Sequence, residues 1–297
     1  MVQFSPTDLS VNAQTHLDTL QADVDGQATR EAQYTRTADL WQKRKNKIAD
    51  KPIWKEIEDN LMNAHPRKGL CQFCEFDRLS PTEHFFTKKH FPNKAFKWEN
   101  YLRICTKCNS EYKGDTFAVF NPVGSAIVFD LPITRGTYPT PPTEDAVLIN
   151  PRTENPQHFM MIDLSTGIVL PTMGVNERDR KKAKYTIDLL HLSTDDVLIR
   201  YRRKAYFDYC QKLAEYAAIK LASNFQNLLV ALPIAKHIII KQEADFEQEK
   251  ARLLRRWEED IKDATFPSVL LEIIEQRPFF LHINQLFEDN PETLLWR

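Results

Sequence analysis

Four of the five cysteines fall in two short pairs, Cys71-x-x-Cys74 and Cys105-x-x-Cys108, with thirty residues between them. Two knuckles of this kind can each offer two thiolates to one tetrahedral Zn²⁺ ion, at about 2.3 Å per bond. Redox C-x-x-C pairs usually open a helix in a thioredoxin-like βαβ unit, and none surrounds these. The spacing therefore predicts a structural zinc site on Cys71, Cys74, Cys105 and Cys108. Inside that frame stand Glu83-His84, then Asn100 in Trp-Glu-Asn-Tyr-Leu, then Asn109 directly after Cys108, and Lys113 four residues on. These types suit phosphodiester hydrolysis, which needs a water, a base to take its proton, and a cation to neutralise charge on the phosphate and the leaving oxygen. The unperturbed pKa of a histidine lies near neutrality, so His84 can be the base. Glu83 and Asn109 offer hard oxygens, which suit Mg²⁺ or Mn²⁺ and make poor zinc ligands. Neighbours in an extended segment point to opposite faces, so Glu83 and His84 can share a site only where the strand ends or bends, which Pro81-Thr82 would permit. Asn109 is expected to begin a helix, with Lys113 one turn later on the same face, near the positive N-terminus, where it would meet a phosphate.

The run EHFFTKKHFPNKAFKWENYLRICTKCNSEYKGDTF, with CQFCE before it and NPRTENPQHF after it, resembles the HNH endonucleases (ββα-metal, His-Me finger) of bacterial defence islands. Among these it is similar notably to the nuclease subunit of Septu anti-phage systems and its retron-associated relatives. The segment A-x-x-TIDLLHL at 183–192 extends the resemblance over about residues 54–204. It implies a ββα-metal finger between Cys71 and Lys113. His84 would be the general base, Glu83 and Asn109 the ligands of the catalytic Mg²⁺ or Mn²⁺, Asn100 the brace of the loop that aims His84, and Lys113 a phosphate contact. It also implies an effector of a defence complex with an ATPase partner and, for the retron-associated relatives, a reverse transcriptase and its RNA. There is one departure. Where the family often carries Arg-Pro-Lys after the histidine, this chain has Phe85-Phe86-Thr87-Lys88-Lys89, so Lys88 or Lys89 replaces that basic contact or the contact is absent. DNA is the favoured substrate and RNA such as tRNA the alternative, because the scissile phosphate is the same and the 2′-OH is read elsewhere. A competing reading is a catalytically silent zinc-finger module that binds nucleic acid or protein.

The elements that must position these residues follow from periodicity and punctuation. Residues 1–37 are polar and weakly periodic and read as a loose N-terminal arm. Residues 38–120 hold helices and the finger, with Leu40, Trp41, Ile48, Trp54, Ile57 and Leu61 at helical spacing and Pro52 dividing the run. Phe91, Phe96, Trp98 and Tyr101 read as the finger's own core, and His90 as a spectator or phosphate contact. Residues 121–175 read as a small β region: strands at 125–133 and 145–150, then a hairpin over 159–172 turning at Ser165-Thr166-Gly167. Residues 176–297 read as a C-terminal helical bundle, with an N-cap box of Ser193 and Asp196. The fold class is α+β, mostly helical.

Composition bounds the rest. A net charge of −1 gives no bulk attraction to nucleic acid, so binding must come from a local patch. Between Arg178 and Lys204 nine basic residues face four acidic ones, a balance of +5. Arg180, Lys181, Lys182, Arg202 and Arg203, with Lys88 and Lys89, are the candidate nucleic-acid contacts. The chain start lacks the pattern of a signal peptide and no stretch approaches a membrane span, which predicts a cytoplasmic protein. The apolar stretch near the C-terminus, including Phe279, Phe280, Leu281, Leu286, Leu294, Leu295 and Trp296, reads as bundle core or as a docking surface.

Overall fold

A computed structural model describes residues 1–76, 82–123, 126–132, 134, 136 and 138–296. The chain is mostly helical and, among the described residues, has three two-stranded antiparallel sheets. It divides into two compact units, one of Met1–Asp163 with Ile168–Leu198 and one of Leu164–Gly167 with Ile199–Arg297.

The first unit opens with α1 (Val11–Asp25), whose N-terminus is capped by the Ser10 side chain accepting from the Ala13 amide. Thr29 does the same for α2 (Arg30–Lys43), and Pro52 sits in the first turn of α3 (Lys51–Ala64), where its missing N–H costs nothing. Ile53, Trp54, Ile57 and Leu61 give α3 one apolar face, which packs with Ala13, Leu17 and Val24 of α1 and with Ala95, Phe96, Trp98 and Tyr101. The loose-arm reading of residues 1–37 is thereby corrected. Its physical cause is Gln21, which looks like a surface residue yet is buried because both ends of its amide are used: it accepts from the Phe96 amide at 2.8 Å and donates to the Pro92 carbonyl at 3.1 Å.

After α3 come β1 (Thr82–His84) and β2 (Tyr101–Arg103), paired so that Glu83 faces Leu102 and His84 faces Tyr101. A short π-helical segment, Lys107–Lys113, follows, giving the order strand, strand, helix. β3 (Ala118–Phe120) pairs with β4 (Val128–Asp130). Instead of a strand at 145–150 there is a single bridge, Ala146 to Val119, and Ser125 and Ile133 lie outside the described residues. After the one-turn α4 (Pro156–Phe159), β5 (Met160–Ile162) and β6 (Val169–Pro171) form the expected hairpin. Gly167 in its turn has φ 79°, and a Cβ there would stand 2.4 Å from the Ile199 carbonyl oxygen, so only glycine fits. α5 (Glu177–Leu189) then leads to α6 (Asp196–Leu221). The cap of α6 is Asp195, which accepts from the Val197 amide at 2.9 Å, and not the Ser193 box. Ser193 is engaged elsewhere, exchanging hydrogen bonds with the Val169 backbone.

The second unit comprises most of α6 with α7 (Phe225–Ala231), α8 (Phe246–Lys262), α9 (Pro267–Gln276) and α10 (Leu281–Asp289). Leu253, Trp257 and Ile261 line one face of α8 and are buried, as are Val269, Leu270 and Ile273 of α9. Among the described residues no helix is long and apolar enough to cross a membrane.

Candidate active site

The four cysteines close on one another. All four are buried, and their sulfur atoms lie within 4.8 Å of one another. Sulfurs bound tetrahedrally at about 2.3 Å would stand about 3.8 Å apart; Cys74 and Cys105 are separated by 3.8 Å. Backbone N–H groups point inward, from Cys105 to the Cys71 sulfur at 3.2 Å and from Cys108 to the Cys105 sulfur at 3.4 Å, an arrangement that favours thiolates. The cluster could hold a metal ion such as zinc. It joins the residues before β1 to the exit of β2: the Gln72 amide donates to the Arg103 carbonyl, and the Gln72 side chain accepts from the Arg103 amide at 2.7 Å.

Glu83 and His84 occupy the end of β1. The His84 Nε2 lies 2.8 Å from the Ala95 carbonyl, which can only accept, so Nε2 carries the proton in the neutral ring and Nδ1 keeps a lone pair. Nδ1 lies 3.8 Å from the Glu83 carboxylate. Asn100 fixes the loop between the two strands. Its side chain accepts from the Phe86 amide at 2.7 Å and donates to the Phe86 and Lys94 carbonyls, while its own carbonyl accepts from the Phe85 amide. Ala95, the acceptor for His84, follows Lys94 directly, so Asn100 anchors the loop segment that holds the ring.

Electrostatics set the charge of each group. Burial pushes the His84 pKa down to about 4, with help from the Lys88 ammonium. Burial alone would raise the Glu83 pKa, but His84, Lys88 and Lys113 outweigh it and hold the carboxyl well below the usual range. The site therefore presents an ionised carboxylate beside a neutral imidazole. One carboxylate and one carboxamide, completed by waters, are donors of the kind Mg²⁺ and Mn²⁺ accept, so Glu83 and Asn109 fit such an ion chemically.

Other expectations change. Asn109 is the third residue of the π-helical segment, and Lys113 is its last. Lys113 is therefore at the C-terminal end, where a helix favours a cation, and not near a positive N-terminus. Bonding from i to i+5, seen between the Gly114 amide and the Asn109 carbonyl at 2.7 Å, keeps residues four to five apart on one face, so Asn109 and Lys113 share a side. Lys113 is fully buried, with no hydrogen-bond partner for Nζ among the described residues, and burial lowers its pKa to about 8. It acts on Glu83 and cannot reach a phosphate unless the site opens. His90 is likewise buried, both ring nitrogens without a partner among the described residues. Pro81 lies outside the described residues.

The basic stretch is only partly exposed. Lys182 is buried and paired with Glu154 at 2.5 Å, Arg202 is 3% exposed, and Lys89 is 7% exposed with Nζ 3.1 Å from the Thr134 carbonyl. These three are withdrawn as nucleic-acid contacts, because their charges are spent inside the protein. Lys181 bonds the Ala126 carbonyl and pairs with Glu177, while Arg180 and Arg203 are exposed. Arg180 and Lys181 belong to the first unit, Arg203 to the second.

Three contributors to the site were not singled out for that role by the sequence. Trp41 of α2 lays its ring 4.3 Å from that of His84 and leaves the imidazole without exposure. Arg44, just past α2, stacks on Trp41 at 4.1 Å and feels the Glu83 charge. Ala95 acts through its backbone alone. No protein-family model matches this chain, and no match was found among curated proteins.

Proposed function

We propose that this chain is a metal-dependent HNH-type nuclease that hydrolyses phosphodiester bonds of nucleic acid, with DNA the favoured substrate and RNA such as tRNA the alternative. The observation that carries the reading is the oriented imidazole: His84 spends its Nε2 proton on the Ala95 carbonyl and keeps the Nδ1 lone pair beside Glu83, at the end of a strand that the strand–strand–helix order sets against Lys113. In this mechanism Nδ1 takes the proton of the attacking water, as the ring's neutral state permits. Asn100 holds the loop so that the ring cannot turn, and Glu83 with Asn109 would hold Mg²⁺ or Mn²⁺. When bound, that ion supplies charge neutralisation on the phosphate and the leaving oxygen. Lys113 adds to the His84 and Lys88 interactions that hold Glu83 ionised. Zinc on the four cysteines is structural, fixing β2 and the π-helical segment relative to each other. Service as the effector of an anti-phage complex with an ATPase partner is proposed from the sequence resemblance alone.

The second reading, a silent zinc-stapled module, is favoured by the full burial of His84 under Trp41. Labelled plasmid, single-stranded DNA and tRNA incubated with Mg²⁺ or Mn²⁺, with and without EDTA, decide between the two. Cleavage that EDTA abolishes supports the nuclease; no cleavage of any substrate by folded, zinc-loaded protein leaves the silent module.

A further inference from the structure

Lys88 stands where a cation is wanted. Its Nζ lies 3.3 Å from His84 Nδ1, the lone pair that the proposed mechanism uses, and 3.9 Å from the Glu83 carboxylate. The ammonium also faces the Trp41 ring at 5.3 Å. Of the groups around the pair, Lys88 is the one with a way out: its side chain is 24% exposed, Glu83 is 14% exposed, and His84 and Lys113 have no exposure. A lysine four residues after the histidine thus closes the solvent side of the pair, and its charge satisfies the carboxylate.

We propose that Lys88 is the resident counter-ion of Glu83 and His84, and that its ammonium and a divalent cation are mutually exclusive at Glu83. The reason is electrostatic. Two positive charges cannot share one carboxylate in a partly buried site without mutual repulsion, which at about 4 Å is large even at the effective dielectric of a protein surface. Lys88 also donates to Nδ1, so while it stays the base cannot accept a proton from water. Binding of the divalent ion would expel the ammonium toward solvent on its flexible four-carbon stem and free Nδ1 in the same movement. The cation would then switch on the base as well as neutralise the phosphate. The inference rests on the nuclease reading, in that Glu83 is taken as a cation ligand.

Binding of Mn²⁺ to the full-length, zinc-loaded protein, followed by the loss of the free-ion electron paramagnetic resonance signal, tests this without reference to cleavage. Wild type, Lys88→Met, Lys88→Gln, Lys88→Arg and Glu83→Gln are compared at one pH and one salt concentration. The expected result is roughly tenfold tighter binding for Lys88→Met and Lys88→Gln, near wild-type binding for Lys88→Arg, which keeps the charge, and loss of the site in Glu83→Gln. Met and Gln variants that bind no more tightly than wild type, while Glu83→Gln loses the ion, overturn the role of Lys88 alone. Equal tightening in Lys88→Arg overturns it too, because the effect is then one of shape and not of charge. Undiminished binding in Glu83→Gln overturns both this inference and the metal assignment beneath it.

Discussion

The imidazole of His84 is held neutral by its surroundings. Trp41 and Tyr101 place rings 4.3 Å and 5.3 Å from it, and burial among them, more than the nearby lysine, depresses its pKa to about 4. A base of this kind keeps its lone pair well into acid. The acid limb of the cleavage rate is therefore expected near pH 4, not near the ordinary 6.5, with the rate falling as pH drops and the ring protonates. A limb at 6.5, measured as log kcat/KM against pH, would mean that the ring is solvated in the working enzyme. The sign for stability follows: a folded-state value below the unfolded one means the unfolded chain takes up the proton first, so folding weakens as pH falls from about 6.5 towards 4. Substitution at this position has two effects. His84→Ala should lower the rate by about 10² to 10⁴; it also leaves the buried Ala95 carbonyl unpartnered, at a cost of about 1–3 kcal/mol. His84→Gln, which restores a donor, should recover stability in a denaturant melt but none of the rate, and a variant that kept the wild-type rate would remove the mechanism.

The elements around the site explain which parts could be read in advance. The knuckles, β1, β2 and the helix that follows were legible because each is announced by residues close in sequence: paired cysteines, Glu83-His84, and Asn109 beside Cys108. Cys105→Ser should release the zinc measured by elemental analysis and reduce soluble yield, since thiolate binding also supplies folding energy; equal metal in mutant and wild type would end the zinc assignment. Of the helices around the site, α1 and the start of α2 were not legible, whereas residues 38–63 read as helical. The main buried residue of α2 is Thr37, and α1 buries Gln21, so neither shows a clean apolar stripe. Trp41 meets His84 across a separation in sequence that no local pattern can encode. Trp41→Ala should therefore move the acid limb up from about 4 towards 6.5, because the main cause of the depression is removed, and should lower thermal stability; Trp41→Phe should do less of both. An unmoved limb in a folded Trp41→Ala protein would show that α2 does not desolvate the base.

At the scale of the molecule, the split between units changes two expectations. Residues 178–204 read as one basic stretch, yet the chain passes from the first unit to the second between Leu198 and Ile199, and Lys182 and Arg202 are buried. Net charge along a sequence is blind to such burial. The apolar C-terminal stretch likewise separates into parts: Val269, Leu270 and Ile273 of α9, with Trp296, are core, whereas Phe279, Leu281 and Leu295 are exposed. Truncation after Ala264 would thus remove core from the second unit. The four cysteines all lie in the first unit. Chelation is accordingly expected to melt that unit first and leave helical signal from residues 199–296, giving two transitions by circular dichroism where the zinc-loaded protein holds both. Simultaneous loss of all helical signal on chelation would show that the two units fold as one.

The π-helical segment at Lys107–Lys113 holds one residue more than an ordinary helix of the same reach. A helix of this pitch is an ordinary one with a residue to spare, and each residue of an ordinary helix turns the chain by about 100°. Deleting the exposed Ser110 would let the segment relax to the common pitch, and Asn109 and Lys113, then three positions apart, would remain neighbours on one face. The placement of the two side chains therefore tolerates a gap of one position here, and an inventory of functional residues would not reveal that the spare residue exists.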